Sequence, residues 1–361
     1  MGEGLRFHWS MSSAGDPYRG ALPRASQSGV PDLARLAEFC RTAEACGIES
    51  VLTAFGFHRP DPIVLATALA ARTDRVSFMV AVRSGVCSPT SFVQQVNTVA
   101  AVTGGRICLN VVVGHTPEEQ RGYGDFLSHD ERYARTDEFL TICRALWESR
   151  EPVTYEGSYY RVENARLNTP FAPGGRGGPE IYLGGNSPQA AALAARHASC
   201  LIRLPDTPAR MRPEVEALRE GGTEVALLVS LLVRPTAEEA IEAAGEMVGS
   251  LGSRPKQTHR AFRQRSDSVA FTSMLGRAEE ADSPWLTPTL WTGAVPYLGA
   301  PAVALVGSPE DVASAILEYR SIGVTQFLFM GWPDVEEMTR FARDVAPIVR
   351  EREGSPRALA V

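Results

Sequence analysis

The 361-residue chain has a single lysine, Lys256, among 36 basic residues. Schiff-base chemistry therefore has one candidate nucleophile. Pro255 and Gln257 flank that lysine, so no Gly-Lys-Ser/Thr phosphate loop can be written. No run approaches the ~18 apolar residues that a membrane span needs. The longest, Val225–Val233, is nine residues and contains Ser230. Met1–Ser13 lacks a basic start followed by an apolar stretch, so no secretory signal is expected there. The six cysteines form no Cys-x-x-Cys pair. Reduced thiols in a cytoplasmic protein are the expectation. No two histidines have His-x-x-x-His spacing, and Gly-x-Ser-x-Gly is absent. Zinc and serine hydrolases thus lack positive support. A net charge of −6 argues against nucleic-acid binding. The expected partners are small molecules, with neither nucleic acid nor membrane among them.

What the sequence does have is 44% hydrophobic residues in regular alternation with polar stretches. Strands are expected at Leu5–Ser12, Ser50–Phe55, Val76–Arg83, Ile107–Gly114, Glu180–Gly184, Ser199–Leu204, Glu224–Arg234 and Thr325–Met330. Helical stretches separate them, among them Pro31–Cys46, Pro62–Arg72, Pro89–Thr103, Glu131–Glu148, Ser187–Arg196 and Pro309–Ile322. A small hairpin is expected from Val153–Tyr155 and Tyr159–Val162. The strand runs are apolar nearly throughout, which suits strands buried on both faces of a parallel sheet. Eight βα units predict a (β/α)8 TIM barrel, one domain over residues 1–361. Residues 250–300 are polar and rich in Arg, Ser and Pro. They are expected to form an insertion or lid at the C-terminal rim, between strands seven and eight.

Active sites of such barrels gather at the C-terminal strand ends. Those ends present His8 and Trp9, then Ala54 with His58 and Arg59, then Arg83. Asn110, Val113 and His115 follow, and after them Gly184–Ser187, Arg203, Ser230 and Trp332. The most legible item is Gly184-Gly185-Asn186-Ser187, where a strand runs into a helix. Glycines let the backbone approach an anion, and the helix start and the Ser187 hydroxyl favour a phosphate. The plainer alternative is an ordinary helix cap by Ser or Asn. His8, His58 and His115 each stand alone, placed for function or satisfied within the structure. His129 precedes a helix, where a capping role suits it.

Several segments carry a resemblance. They are FHWSMSSAGD (7–16), VAVRSGVCSPT (80–90), LNVVVGHTPEEQRGYGDFLSHDERYARTDEFL (109–140), IYLGGNSPQA (181–190), ALVGSPEDVA (304–313) and FMGWPDVEEM (329–338). In these the chain resembles the bacterial luciferase-like flavin-dependent monooxygenases, and within them the alkanesulfonate monooxygenase group. The resemblance implies a TIM barrel with insertions that uses reduced FMN and O2. It also implies a separate NAD(P)H-dependent flavin reductase that supplies FMNH2, and a homodimer or homotetramer. A flavin–oxygen adduct would oxidise the substrate. Gly184, Gly185 and Ser187 would hold the FMN phosphate, with Asn186 among the cofactor-binding residues. Asn110, Val113, His115 and Tyr133 would contact the cofactor, and Ala54 would lie against the isoalloxazine.

The departures from that group matter as much. The group has a cysteine after strand two; here the segment reads Gly56-Phe57-His58-Arg59. Its arginine and histidine on strand seven are replaced by Leu227-Leu228-Val229-Ser230, its lid arginine by Pro296–Gly299, and its tyrosine after strand eight by Trp332. A sulfonate needs several charge-assisted donors, so a simple alkanesulfonate is not the expected substrate. His58, Arg59, Arg83 and Trp332 are the catalytic candidates. His8, Trp9, Arg203 and Ser230 are the substrate-binding ones, for a small polar or anionic molecule. The other readings are a deazaflavin (F420)-dependent hydride-transfer enzyme on the same barrel and a flavin-binding barrel without catalysis.

Overall fold

The structure, a computed structural model, describes residues 4–12, 30–57, 59–114, 116–171, 177–250, 266–280 and 282–354. Among the described residues twelve strands are formed: β1 (Arg6–Ser10), β2 (Ser50–Thr53), β3 (Ser77–Val82), β4 (Ile107–Val111), β5 (Val153–Glu156), β6 (Arg161–Ala165), β7 (Ile181–Gly184), β8 (Cys200–Arg203), β9 (Glu224–Val233), β10 (Leu290–Trp291), β11 (Ala304–Gly307) and β12 (Gln326–Gly331). The helices are α1 (Leu33–Ala45), α2 (Pro62–Ala70), α3 (Pro89–Thr103), α4 (Pro117–Gly122), α5 (His129–Glu148), α6 (Pro188–His197), α7 (Pro208–Glu220), α8 (Ala237–Gly249), α9 (Val269–Glu280), α10 (Val295–Leu298), α11 (Pro309–Ser321), α12 (Asp334–Arg340) and α13 (Ala346–Glu353).

Eight strands close a parallel ring in the order β1, β2, β3, β4, β7, β8, β9, β12, with β12 returning to β1. This is the TIM barrel that the apolar runs predict, and each of the eight expected segments contributes one strand. The hairpin forms as β5 and β6, antiparallel and outside the barrel. Two further strands escape the sequence reading. On one edge β9 pairs with β8 through Glu224–Leu227 and then, from Ser230 to Val233, with β11. Strand β10 adds to β11 antiparallel. Where β8 stops, at the C-terminal end of β9, β11 therefore extends the sheet and β10, from the 250–300 insertion, adds to it. Among the described residues no helix is long and apolar enough to cross a membrane. None of the six cysteines forms a disulfide; five are buried and Cys87 is half-buried.

Alternation along each strand divides its side chains between two cores. On β1, Phe7 and Trp9 face the helices and meet Phe329 at ring-centroid distances of 5.8 and 5.9 Å. Their neighbour His8 faces the barrel interior, 5.6 Å from the Tyr182 ring. The middle of the interior is apolar, built from residues such as Leu52, Met79, Ala81, Cys108 and Leu328. Its N-terminal floor is polar. Arg6 makes a two-pronged ion pair with Glu180 at 2.6 and 2.9 Å and a further bond to Glu49 at 2.8 Å. His8 lies between Ser50 Oγ (2.8 Å) and Gln326 Oε1 (2.9 Å), and the Tyr182 hydroxyl donates to the same Gln326 oxygen at 2.9 Å. The Gln326 amide nitrogen donates to Glu224, which fixes its oxygen toward His8. His8 Nε2 is therefore the donor and Nδ1 the acceptor.

Burial, with the nearby Arg6 cation, lowers the His8 pKa, so the ring is neutral in the folded state. The sign follows. The unfolded chain takes up a proton near pH 6.5 that the folded one refuses, so this contribution is fully present above that pH and lost as pH falls below it. In urea titrations followed by circular dichroism, the wild-type protein loses stability between pH 7.5 and 5. His8→Gln flattens that loss by up to ~1.4 kcal/mol per pH unit. An unchanged pH dependence would contradict the assignment.

Candidate active site

The C-terminal end of β7 turns into α6 through Gly184–Ser187. Ser187 caps the helix by accepting the Ala190 N–H at 3.1 Å, and Pro188 occupies the first helical position. Asn186 holds the turn in place. Its amide accepts from Leu204 N at 3.1 Å and donates to Leu204 O at 3.3 Å, bridging to the end of β8. Gly185 permits close packing, because a Cβ there would stand 2.7 Å from Ala190 Cβ. The α6 N-terminus, with its unpaired N–H groups and positive dipole end, is thus set rigidly at the barrel mouth.

Other elements converge on this turn. The N-terminus of α5 is fixed by a capping box between Ser128 and Glu131. One turn along, Tyr133 brings its hydroxyl to 3.3 Å from Ser187 Oγ. Burial raises the Tyr133 pKa against the opposing bond to Ser187, so the phenol stays protonated and can donate. His129, four residues earlier on the same helix face, lies 5.0 Å away ring to ring. From β4 comes Asn110, 7% exposed, whose Oδ1 is buried without a hydrogen-bond partner. The space a Gly184 Cβ would fill is 3.8 Å from that oxygen. A buried amide oxygen left open beside a glycine is the kind of group a ligand donor satisfies.

These residues line a cavity of about 170 Å³ with an apolar floor that includes Leu52, Ile202, Leu228 and Leu328. Its roof is the start of α9, Ser268–Phe271, from the insertion. Two ion pairs hold that roof down: Arg132 of α5 with Asp267 at 2.5 Å, and Arg277 of α9 with Asp206. Arg132 is 2% exposed and also donates to Leu127 O at 3.0 Å. The polar composition that suggested a lid over 250–300 did not show which of its residues reach the cavity; the short apolar run Val269-Ala270-Phe271 was the one local signal for them. The Arg132–Asp267 pairing, 135 residues apart, left no local signal at all.

The structure brings together Asn110, Val113, Tyr133, Gly184, Gly185, Asn186, Ser187 and Arg203 around one cavity. Ala54 follows the last residue of β2 and is half-buried. Arg59 and Arg83 line a neighbouring cavity. His58 and His115 lie outside the described residues. Several substrate-binding expectations need correction. His8 is inside the barrel floor with both ring nitrogens engaged. Trp9 points the opposite way, into the helix layer, 3.5 Å from Asp334 Oδ1. Ser230 is fully buried and its hydroxyl donates to Pro301 O at 3.1 Å, tying β9 to the segment just after the insertion. Arg203 lines the cavity, but its guanidinium is paired with Glu214 of α7. Trp332, named as catalytic, lines a separate cavity beside Ser12 and Asp334 and packs with Trp291 and Leu298. Among the described residues no group of three or more His, Cys, Asp or Glu is arranged to hold a metal ion.

Comparison with known proteins adds to this geometry. Residues 5–326 match the family model for luciferase-like monooxygenases. Among solved structures, EDTA monooxygenase from Chelativorans sp. BNC1 is similar with a TM-score of 0.80 at 22% identity, covering 99% of this chain and 96% of that one. A long-chain alkane monooxygenase gives 0.79 at 19%, covering 99% and 93%. An F420-dependent secondary alcohol dehydrogenase, solved with an F420–acetone adduct, gives 0.67 at 20%, covering 96% and 100%. At these identities the structural likeness establishes the shared fold.

The Asn186 bridge yields a direct expectation. Asn186→Ala leaves two buried Leu204 backbone groups without partners, which costs roughly 1–3 kcal/mol. The urea midpoint should fall accordingly; a midpoint equal to wild type would show that Asn186 does not hold the turn.

Proposed function

The chain belongs to the luciferase-like monooxygenase family, and from that premise we propose that it is a reduced-FMN- and O2-dependent monooxygenase acting on a small polar organic substrate other than a simple alkanesulfonate. A separate NAD(P)H-dependent reductase would supply the reduced flavin, and the working protein would be a homodimer or homotetramer. One observation carries the cofactor reading. At the start of α6 a rigid glycine turn, a half-buried Tyr133–Ser187 hydroxyl pair and the open Asn110 oxygen face one cavity. That donor set fits a phosphorylated ribityl chain: hydroxyl donors and a helix N-terminus for the phosphate, an amide oxygen for a sugar-like hydroxyl.

Reduced FMN, when bound, supplies two electrons and a site at which O2 is activated. The protein's own residues do the rest. Ser187 and the α6 N-terminus hold the phosphate end, and Tyr133 donates beside it. Leu52, Leu228 and Leu328 present an apolar wall that keeps water from the mouth. The α9 roof, latched by Arg132–Asp267, covers that wall. Arg83 and Arg59, at the next strand ends, supply fixed positive charge beside the mouth.

A deazaflavin reading draws on the F420-dependent dehydrogenase that shares the fold. Both cofactors carry a phosphorylated ribityl chain, so the cradle serves either. Oxygen consumption separates them, since hydride transfer from a deazaflavin uses none.

The expected result is that the protein binds reduced FMN and couples O2 uptake to product when a reductase turns over NADH. Tyr133→Phe and Ser187→Ala should each weaken FMN binding about tenfold, the loss of one charge-assisted hydrogen bond, as read by quenching of flavin fluorescence. Binding that is unaffected in both variants, or tight binding of the deazaflavin alone, would overturn the reading.

A further inference from the structure

We propose that the cavity at the ends of β2 and β3 is the substrate subsite and takes an aromatic carboxylate, whose acid group replaces Glu119 on Arg83. The inference deepens the oxygenase reading and rests on it for calling the bound anion a substrate; the binding itself stands on separate residues. The cavity has a volume of about 410 Å³ and reaches the barrel interior at Ala81. The register partner of Ala81 is Asn110, which lines the cofactor cavity, so the two chambers open on adjacent strands of the same mouth.

Its walls are of two kinds. Ile63, Val82, Val86 and Phe92 make an apolar body. The other end is cationic. Arg83, at the C-terminal end of β3, is 6% exposed, and its guanidinium lies 4.7 Å over the Phe55 ring and 6.0 Å from the Tyr123 ring. An arginine buried against aromatic faces keeps its charge and its planar fork of donors, and an unsatisfied fork is costly. Arg83 Nε is buried without a hydrogen-bond partner. Its Nη1 approaches Glu119 Oε1 to 2.7 Å, yet neither atom meets hydrogen-bond geometry. The pair is close but misaligned.

Glu119 also comes from a replaceable place. It sits on α4, six residues within the β4–α5 connection, rather than on the barrel frame. The Asp61 carboxylate, in the cavity wall, caps the N-terminus of α2 by accepting Val64 N–H at 2.9 Å. The remaining carboxylate near Arg83 is thus Glu119, held in poor geometry. A flat carboxylate can approach the fork two-pronged and satisfy Nε, which Glu119 does not. The flat ring follows from the wall. Phe55 and Tyr123 stand 5.1 Å apart, and Phe57 stacks on Tyr123 at 4.8 Å, so aromatic surface borders the cationic end. An apolar body with one cationic, aromatic-lined end selects a planar anion over a neutral analogue of the same shape.

The test uses the full chain without cofactor, with benzoate and benzamide as probes in isothermal titration. Benzoate should bind saturably and benzamide should not. Glu119→Gln, which removes the competing charge, should tighten benzoate about tenfold, and Arg83→Gln should weaken it by at least as much. FMN affinity, read by fluorescence quenching on the same samples, should be unchanged in both variants. Equal binding of the two probes, or benzoate affinity unchanged or weaker in Glu119→Gln, overturns the proposal, and the wild-type comparison alone decides should Arg83→Gln fail to fold. Benzoate selectivity retained in a protein that does not bind FMN would support the subsite while removing the oxygenase reading.

Discussion

The Asn186 side chain, doubly bonded to the Leu204 backbone, fixes where α6 begins relative to the end of β8. Everything at the mouth is measured from that junction. Parallel strands end without hydrogen-bond partners beyond their last residue, and the loops that follow would drift without such a tie. With it, Ser187 meets Tyr133 from α5, and Gly184 lies beside the Asn110 oxygen from β4. Three elements far apart in sequence therefore present donors and an acceptor to one cavity with little freedom left to lose on binding.

The barrel holds two polarity regimes along its axis. At the floor, Arg6, His8, Ser50, Tyr182, Glu180 and Gln326 satisfy one another. There, burial works to raise the Glu180 pKa, but the bonds from Arg6 prevail and lower it. A closed network of this kind rigidifies and offers nothing to a ligand. At the mouth some of the polar groups are open: Asn110 Oδ1 and Arg83 Nε are buried without hydrogen-bond partners. That asymmetry, satisfied below and unsatisfied above, is the physical mark of the functional end. The insertion reinforces it, since its roof is attached by ion pairs whose partners, Arg132 and Asp206, stand on the barrel's own loops and helices.

Much of this was legible in the sequence. Eight nearly continuous apolar runs suit strands buried on both faces of a parallel sheet, and their number, each followed by a helical stretch, pointed to a closed ring, which is there. The turn Gly184–Ser187 was legible because glycine, cap residue and proline at the first helical position are local signals. The misreadings share a cause. Listing every polar residue near a strand end ignores the two-residue alternation, by which adjacent His8 and Trp9 must face opposite cores. Ser230 was misjudged because its partner, Pro301, follows directly on an insertion whose path no local pattern gives. Arg203 was expected to be open, but Glu214 on the following helix neutralises it. Strand β10 is two residues long, too short to stand out from the polar stretch around it, and β11 falls between that stretch and the helix read from Pro309. Long-range pairings decided each of these, and they become visible only once the chain is folded.

The most direct measurement of the central claim compares FMN with riboflavin, which differ by the phosphate that the α6 turn is held to grip. Fluorescence-quenching titrations of the intact protein should give an affinity for FMN at least about tenfold higher, as one or more charge-assisted bonds would require. Equal affinity for the two flavins would mean that Gly184–Ser187 is a helix cap and nothing more.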